Sequence, residues 1–244
     1  MRVYIQKGKD NECVSPNFFI ALDGFRQLGW EICYFHQAEE LRENEPDDII
    51  VGYLRDVKIA IQQLGIQPPE EINYPEELLP FLGRKVWKST VNTIAVNPDL
   101  WNVFIKPAYG AKTFTGKLIK DAKDLIGCGH PLQDIDIWCS EPVHFLSEWR
   151  CFVRYNQIQD VRRYAGDWRL HFDYKILERA LKNYTSAPKG FAMDFGLTNT
   201  GETLLVEIND GFSLGAYGLA PIEYAKLLSA RWAEITKSTD YCAF

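Results

Sequence analysis

The chain has little sulfur or imidazole: two methionines, four histidines and six cysteines, with no CxxC pair. Cys13, Cys33, Cys128, Cys139, Cys151 and Cys242 are scattered, several of them in strand-like runs. This excludes a ribbon-type zinc site and a disulfide framework, and predicts reduced, mostly buried thiols. His36, His130, His144 and His171 lack ligand spacing and read as structural or surface residues. No apolar run approaches the roughly 20 residues that cross a bilayer, and Met1-Arg-Val-Tyr-Ile-Gln has no signal-peptide core. The chain therefore reads as cytoplasmic. Positive charge is also short, with 27 Lys and Arg against 33 Asp and Glu and a net charge of -6. That argues against a general grip on nucleic acid or anionic membrane and points to small-molecule, amino-acid or peptide partners. Repeats and low-complexity segments are absent, and nothing fixes an oligomeric state.

What is present is core-forming material, 46% hydrophobic over 244 residues, in two patterns. Val3-Ile5, a helix from Ser15-Pro16 through Phe18, Ala21, Leu22, Phe25 and Leu28 to Gly29, and strands at Glu31-His36 and Asp48-Leu54 alternate as βα units. An amphipathic segment with Val57, Ile61 and Leu64 follows. This spacing predicts parallel pairing. After the proline-rich Gln67-Pro75 and Gly83, strands dominate, near 102–106, 116–119, 134–139, 150–155 and 158–164. A helix near 174–181 and a last one through Ile222, Ala225, Leu228, Trp232 and Ile235 complete the pattern. The expected class is α/β, shading into α+β, with a small N-terminal α/β domain over 1–83 and a second domain over 84–244. The tryptophans read as packing.

The most informative pair of runs is Phe191-Ala-Met-Asp-Phe-Gly-Leu197 and Thr203-Leu-Leu-Val-Glu-Ile-Asn-Asp210. Phe191, Met193, Phe195 and Leu197 alternate with Ala192, Asp194 and Gly196, and Leu204, Val206 and Ile208 alternate with Leu205, Glu207 and Asn209. A two-residue loop at Thr200-Gly201 would set Asp194 opposite Glu207. Opposed carboxylates repel unless a cation or proton separates them. With the Asn209 amide they form an oxygen-only set suited to magnesium.

Upstream, Lys106-Pro107 ends a strand and precedes a hydroxyl-rich loop around Gly110. An ammonium and backbone N–H groups there would suit phosphate. Glu141 and Glu148 flank a loop and would suit an adenine amino group and ribose hydroxyls. In order and spacing these motifs resemble the ATP-grasp superfamily. Ser147-Glu-Trp-Arg150 and Glu207-Ile-Asn-Asp-Gly-Phe-Ser-Leu-Gly-Ala-Tyr217 look most like its R2K clade, named for arginine and lysine positions. The resemblance covers nearly the whole chain and implies an ATP-grasp fold preceded by a small α/β pre-grasp domain. It further implies that Lys106 binds the α- and β-phosphates under a lid at Gly110, and that Lys85 or Lys88 contacts the nucleotide from the other side. Glu148 would hold ribose, with the backbone after Glu141 reading adenine, and Asp194, Glu207 and Asn209 would bind Mg2+ carried by ATP.

The chain departs from the pattern at Ala192, where many such ligases place an arginine. Arg150 and Arg163 are the expected replacements for charge stabilisation. Ser213 and Tyr217 are candidate liners of the acceptor site. The implied activity is ATP-dependent carboxylate–amine ligation through an acyl phosphate, with ADP and phosphate released. A kinase acting on a hydroxyl and a non-catalytic nucleotide-binding module are the alternatives.

Overall fold

The N-terminal alternation folds into a parallel sheet. The computed structural model describes residues 1–10, 12–41, 44–108, 113–130 and 132–244. Strands β1 (Arg2–Gln6), β2 (Glu31–Phe35) and β3 (Ile49–Val51) lie in the order β2-β1-β3. Helix α1 (Pro16–Gln27) starts where the sequence predicts, with the Ser15 hydroxyl accepting the Asn17 N–H at 3.3 Å and proline at the first helical position. Strand β3 is shorter than the apolar run 48–54, because Tyr53 becomes the N-cap of α2 (Leu54–Gln63) and its N–H is taken by the Gln6 side chain at 2.8 Å. Val3, Ile5, Phe25, Val57 and Ile61 form a core that also contains Leu227 and Trp232 of the last helix, α5 (Pro221–Thr236). At the crossing of α1 and α5 a Cβ on Gly24 would stand 2.0 Å from the Pro221 carbonyl oxygen, so only glycine permits that approach.

A second sheet, all antiparallel, has the order β4-β7-β5-β6 and comprises Val86–Thr90, Asp136–Ser140, Val103–Pro107 and Lys117–Ile119 respectively. β4 and the short helix α3 behind it (Val91–Val96) were not expected from the sequence. Val86-Trp-Lys-Ser-Thr90 alternates only weakly, since both of its faces are partly solvated.

The third sheet, β11-β10-β8-β9, contains Thr203–Asp210, Gly190–Thr198, Phe145–Arg154 and Gln157–Gly166. β8 begins five residues before the predicted 150–155, and β9 extends the predicted 158–164 by one residue at its start and two at its end. The inner strand β10 is covered on both faces. Phe191, Met193 and Phe195 pack with Leu177 and Ala180 of α4 (Tyr174–Asn183), while Ala192 joins the core shared with α5.

Asp194 stands opposite Glu207, as the alternation predicts, but the route to that register differs. Near the turn the pairing is one residue shorter, Leu197 with Thr203 and Phe195 with Leu205, and a bulge at Val206 restores it. The loop is three residues, Asn199 to Gly201. The Thr198 N–H bonds the Glu202 carbonyl at 2.9 Å, the Thr198 hydroxyl accepts from Thr200 and Glu202, and Gly201 takes φ +85°. These hydroxyl bonds favour the longer loop over the two-residue turn. The bulge also shifts the phase of β11. Leu205 and Ile208 enter the core, whereas the expected apolar face was Leu204, Val206 and Ile208.

Among the described residues no helix is long and apolar enough to cross a membrane. All six cysteines are free thiols, and Cys128, Cys139, Cys151 and Cys242 are buried.

Candidate active site

Residues directly opposed on antiparallel strands share a face. One such row crosses the third sheet from Arg162 through Arg150 and Asp194 to Glu207. Arg150 donates from Nε and Nη2 to the two Asp194 carboxylate oxygens at 2.8 and 2.6 Å, and both side chains are buried. Lys106, on the facing sheet, reaches across and pairs its ammonium with Glu207. The Asn209 amide donates to Asp194 at 3.0 Å and to Glu207 at 3.3 Å. The expected repulsion between Asp194 and Glu207 is thus relieved by one cation each, from two different sheets. Arg162, at the outer end of the row, turns to Asp160 at 2.7 Å.

Burial pushes the Asp194 carboxyl up to about 6, against the pull of Arg150 and with Glu207 and Glu148 adding to the rise. For Glu207 burial acts in the same direction, yet the Lys106 ammonium outweighs it and holds the acid below its usual range. Burial likewise works to lower the Lys106 amine, and Glu207 overrides it. Glu148, two residues from Arg150 on the same face, accepts the Tyr164 hydroxyl at 2.7 Å. Burial, with Asp194 and Glu148 behind it, raises that phenol far above its ordinary value.

The sheet that supplies Lys106 presents a row of its own: Lys88, Trp138 and Lys106 oppose one another across β4, β7 and β5. Lys88 therefore shares a face with Lys106. Lys85 lies just before β4, with its ammonium on the Trp87 ring. Glu141 is an exposed residue whose carboxylate and N–H both bond the Lys85 backbone, at 2.9 and 3.1 Å, closing the end of the β4–β7 ladder. The loop at Gly110 falls in 109–112, outside the described residues.

Arg163 is not brought to the site. Counted from the β8–β9 turn, a bulge at Gln159 sets Arg163 opposite Trp149, on the other face from Arg150, where it is exposed and donates to the Gly166 carbonyl at 2.8 Å. Ala192 is fully buried in apolar packing.

Two residues were missed from the sequence. Arg84 donates to the carbonyls of Leu205 at 2.8 Å and Val206 at 2.9 Å, the two that the bulge turns outward. Tyr74 lies under the Lys106 ammonium, 4.5 Å from ring centre to nitrogen, and packs edge-on against Trp138. The sequence signal for Arg84 is the basic run Arg84-Lys85. An invisible bulge supplies the reason for the arginine.

Beside the row a cavity of about 1050 Å³ opens between the first sheet and the β10–β11 hairpin. Asn17, Tyr53 and Lys58 line one side, and Arg150, Glu207 and Tyr217 the other. Lys88, Lys106 and Glu148 are not among its lining residues. Glu207 thus borders the cavity and also holds the Lys106 ammonium of the second sheet, with Arg150 beside it on the cavity wall.

Several solved structures share the fold. D-alanine–D-alanine ligase from Bacillus anthracis is 15% identical, with a TM-score of 0.58 and 97% of each chain covered. D-cycloserine synthetase DcsG is 10% identical at TM-score 0.60, covering 95% of this chain and all of its own. The ATP-grasp ligase PsnB, solved with minimal precursor, Mg and ADP, is 11% identical at TM-score 0.52, covering 95% and 97%. No curated protein sequence matches. At these identities the likeness is one of fold. The sequence itself matches the ATP-grasp domain, R2K clade family 2, over residues 81–227, more than half of the chain, and the chain belongs to that family.

Proposed function

We propose that the protein is an ATP-dependent ligase that activates a carboxylate as its acyl phosphate and passes the acyl group to an amine, with an amino acid or peptide among its substrates. The observation that carries this reading is the placement of Arg150 and Glu207 between a cavity and a lysine-bearing sheet face. The cavity is large enough for a substrate of several residues, and the face presents Lys88 and Lys106, with the Lys106 ammonium on Glu207. In this reading residues 1–83 form the pre-grasp domain and 84–244 the grasp, with the substrate between them.

Lys88 and Lys106 hold the nucleotide phosphates, with Trp138 and Tyr74 between and beneath them. Lys106 leaves Glu207 to do so, which frees a carboxylate. The donor set then fits Mg2+, which takes one or two protein carboxylates and completes its shell with phosphate oxygens and water. No cluster of three or more His, Cys, Asp or Glu forms among the described residues, so the ion would depend on the nucleotide for its other ligands. Glu207, Asn209 and the remaining lone pairs of Asp194 would hold it, and when bound it supplies neutralisation of charge at the transferred phosphoryl group. Arg150, fixed on Asp194, presents a guanidinium edge toward the cavity where the carboxylate approaches, and so takes the place of the cation that Ala192 lacks. Glu148, steadied by Tyr164, holds the ribose. Glu141 and Lys85 serve the ladder end, and Arg163 has no part in the chemistry.

ADP release, measured against a panel of amino acids and short peptides with Mg2+, tests the reading. The expected result is ADP formed only when a carboxylate and an amine are both present, and a loss of about 10²–10³-fold in Glu207→Ala. A stable phosphorylated product would make the protein a kinase. ATP binding without turnover for any pair would make it a binding module, and equal activity in Glu207→Ala would remove the metal assignment.

A further inference from the structure

The loop after β11 contains an anomaly. Leu219 N–H bonds the Ala216 carbonyl at 2.8 Å, closing a turn whose central residues are Tyr217 at φ +42° and Gly218 at φ +85°. Both lie in the left-handed region, as a type I′ turn requires. Glycine is at home there, but an aromatic residue pays a steric cost. Such strain persists only where the surroundings over-determine it. Here they do. Asn17 of α1 accepts the Ala216 N–H at 2.9 Å, the Ser213 hydroxyl donates to the Gly52 carbonyl at 3.3 Å, and the buried Tyr224 hydroxyl donates to the Leu214 carbonyl.

The strained turn delivers the Tyr217 ring to a particular place. Its centre lies 4.5 Å from the Arg150 guanidinium carbon and 5.1 Å from the Tyr164 ring, inclined at 34°. A Cβ on Gly215 would come within 3.2 Å of the Tyr217 ring and 3.6 Å of Arg150 Nη1, so a glycine there leaves both groups their room. Arg150 is 6% exposed and Tyr217 49%. The ring therefore stands at the cavity edge with one face over the guanidinium, which keeps one edge on the cavity, and the rest toward the space where a substrate would sit. A ring in that position stabilises the cation through its π face and keeps water from competing for the carboxylate.

We propose that Tyr217 is a positioning residue, whose ring holds Arg150 on Asp194 and closes the row to water from the cavity, so that an activated carboxylate meets the amine and not water. This rests on the ligase reading, and the tests below separate the two.

The first test needs no substrate. Phenylglyoxal labelling of Arg150 in the full-length protein, read by peptide mass spectrometry, should be slow in the wild type and in Tyr217→Phe. It should be about tenfold faster in Tyr217→Asn and Tyr217→Ala, the loss expected when a desolvated cation–π contact is removed. Tyr217→Asn should melt close to the wild type, because the strain relieved where asparagine tolerates the left-handed region offsets the lost ring contact. A purely structural tyrosine would lower the melting temperature instead. The second test is the ratio of ADP to ligated product for an accepted carboxylate and amine. It should be near one in the wild type and Tyr217→Phe, and should rise several-fold in Tyr217→Asn as acyl phosphate is lost to water. Unchanged Arg150 labelling in Tyr217→Asn, a clear drop in its melting temperature, or an unchanged ratio would each overturn the proposal. Absence of ADP formation by the wild type with every pair would defeat the ligase reading, while the labelling result would still decide whether Tyr217 holds Arg150.

Discussion

Two buried arginine–aspartate pairs in this protein have nearly the same geometry and different consequences. Arg150 and Asp194 meet at 2.8 and 2.6 Å, and Arg231 and Asp210 at 2.7 and 2.6 Å. Arg231 comes from α5 and Asp210 ends β11, so that pair joins a helix to a strand. Asp210 also accepts the Phe212 N–H, and Arg231 also holds Glu234 at 2.8 Å. Arg150 and Asp194 lie on neighbouring strands that the β8–β10 ladder already fixes in register. As a brace the Arg150–Asp194 pair is redundant. It stands instead among Glu207 and Glu148, which help to raise Asp194, and Lys106, which lowers Glu207, and it borders the cavity. A buried ion pair is therefore better judged by what its elements would do without it than by its own bond lengths.

The contrast can be broken by substitution. The largest effect should come from Arg231→Ala, which leaves Asp210 without its buried cation and should cost about 3–5 kcal/mol in urea unfolding at neutral pH. Replacing the other pair whole, Arg150→Met with Asp194→Leu, should leave stability within about 2 kcal/mol of the wild type, since an apolar pair of similar volume replaces the ions. ADP formation should nevertheless disappear. If the double variant proves as unstable as Arg231→Ala, the claim of redundancy is wrong. Arg84→Met should cost about 1–3 kcal/mol by stranding the carbonyls at the bulge, seen as faster amide exchange in β11 around Val206 with β8 unaffected.

The smallest effect belongs to a third pair, Asp167 with Arg169, exposed and two residues apart. The hydrogen bonds from Arg169 hold the Asp167 carboxyl down at about 2. Its folded value lies below its unfolded one, so its contribution is fully present above the ordinary carboxylate range and is lost as pH falls through 2. In Arg169→Ala an NMR titration should find Asp167 back near the ordinary range, with thermal stability at neutral pH unchanged within error.

Alternation made the polar faces that carry Asp194 and Glu207 legible, because period two survives wherever one face is buried, whereas the two-residue turn was one residue too short and the bulge at Val206 offset the difference. The parallel first sheet was legible for the same kind of reason, with Ser15-Pro16 and Gly29 marking α1. Single-residue insertions were not. The bulge at Val206 put Leu205 in the core, and the bulge at Gln159 put Arg163 on the face away from Arg150, since one extra residue inverts every side chain beyond it. Arg150 was legible as a strand residue, but its partner depended on which strand lies alongside, a non-local fact. Of Lys85 and Lys88, only strand pairing shows which one shares a face with Lys106, and β4 itself was invisible.

The bulge at Val206 makes the two ends of the β10–β11 hairpin independent. On the turn side Leu197 pairs with Thr203 and Phe195 with Leu205, and beyond the bulge Asp194 pairs with Glu207, with Arg84 holding the two carbonyls at the changeover. A one-residue insertion in the loop from Asn199 to Gly201 should therefore be absorbed between turn and bulge. It should leave the pairing of Asp194 with Glu207 unchanged.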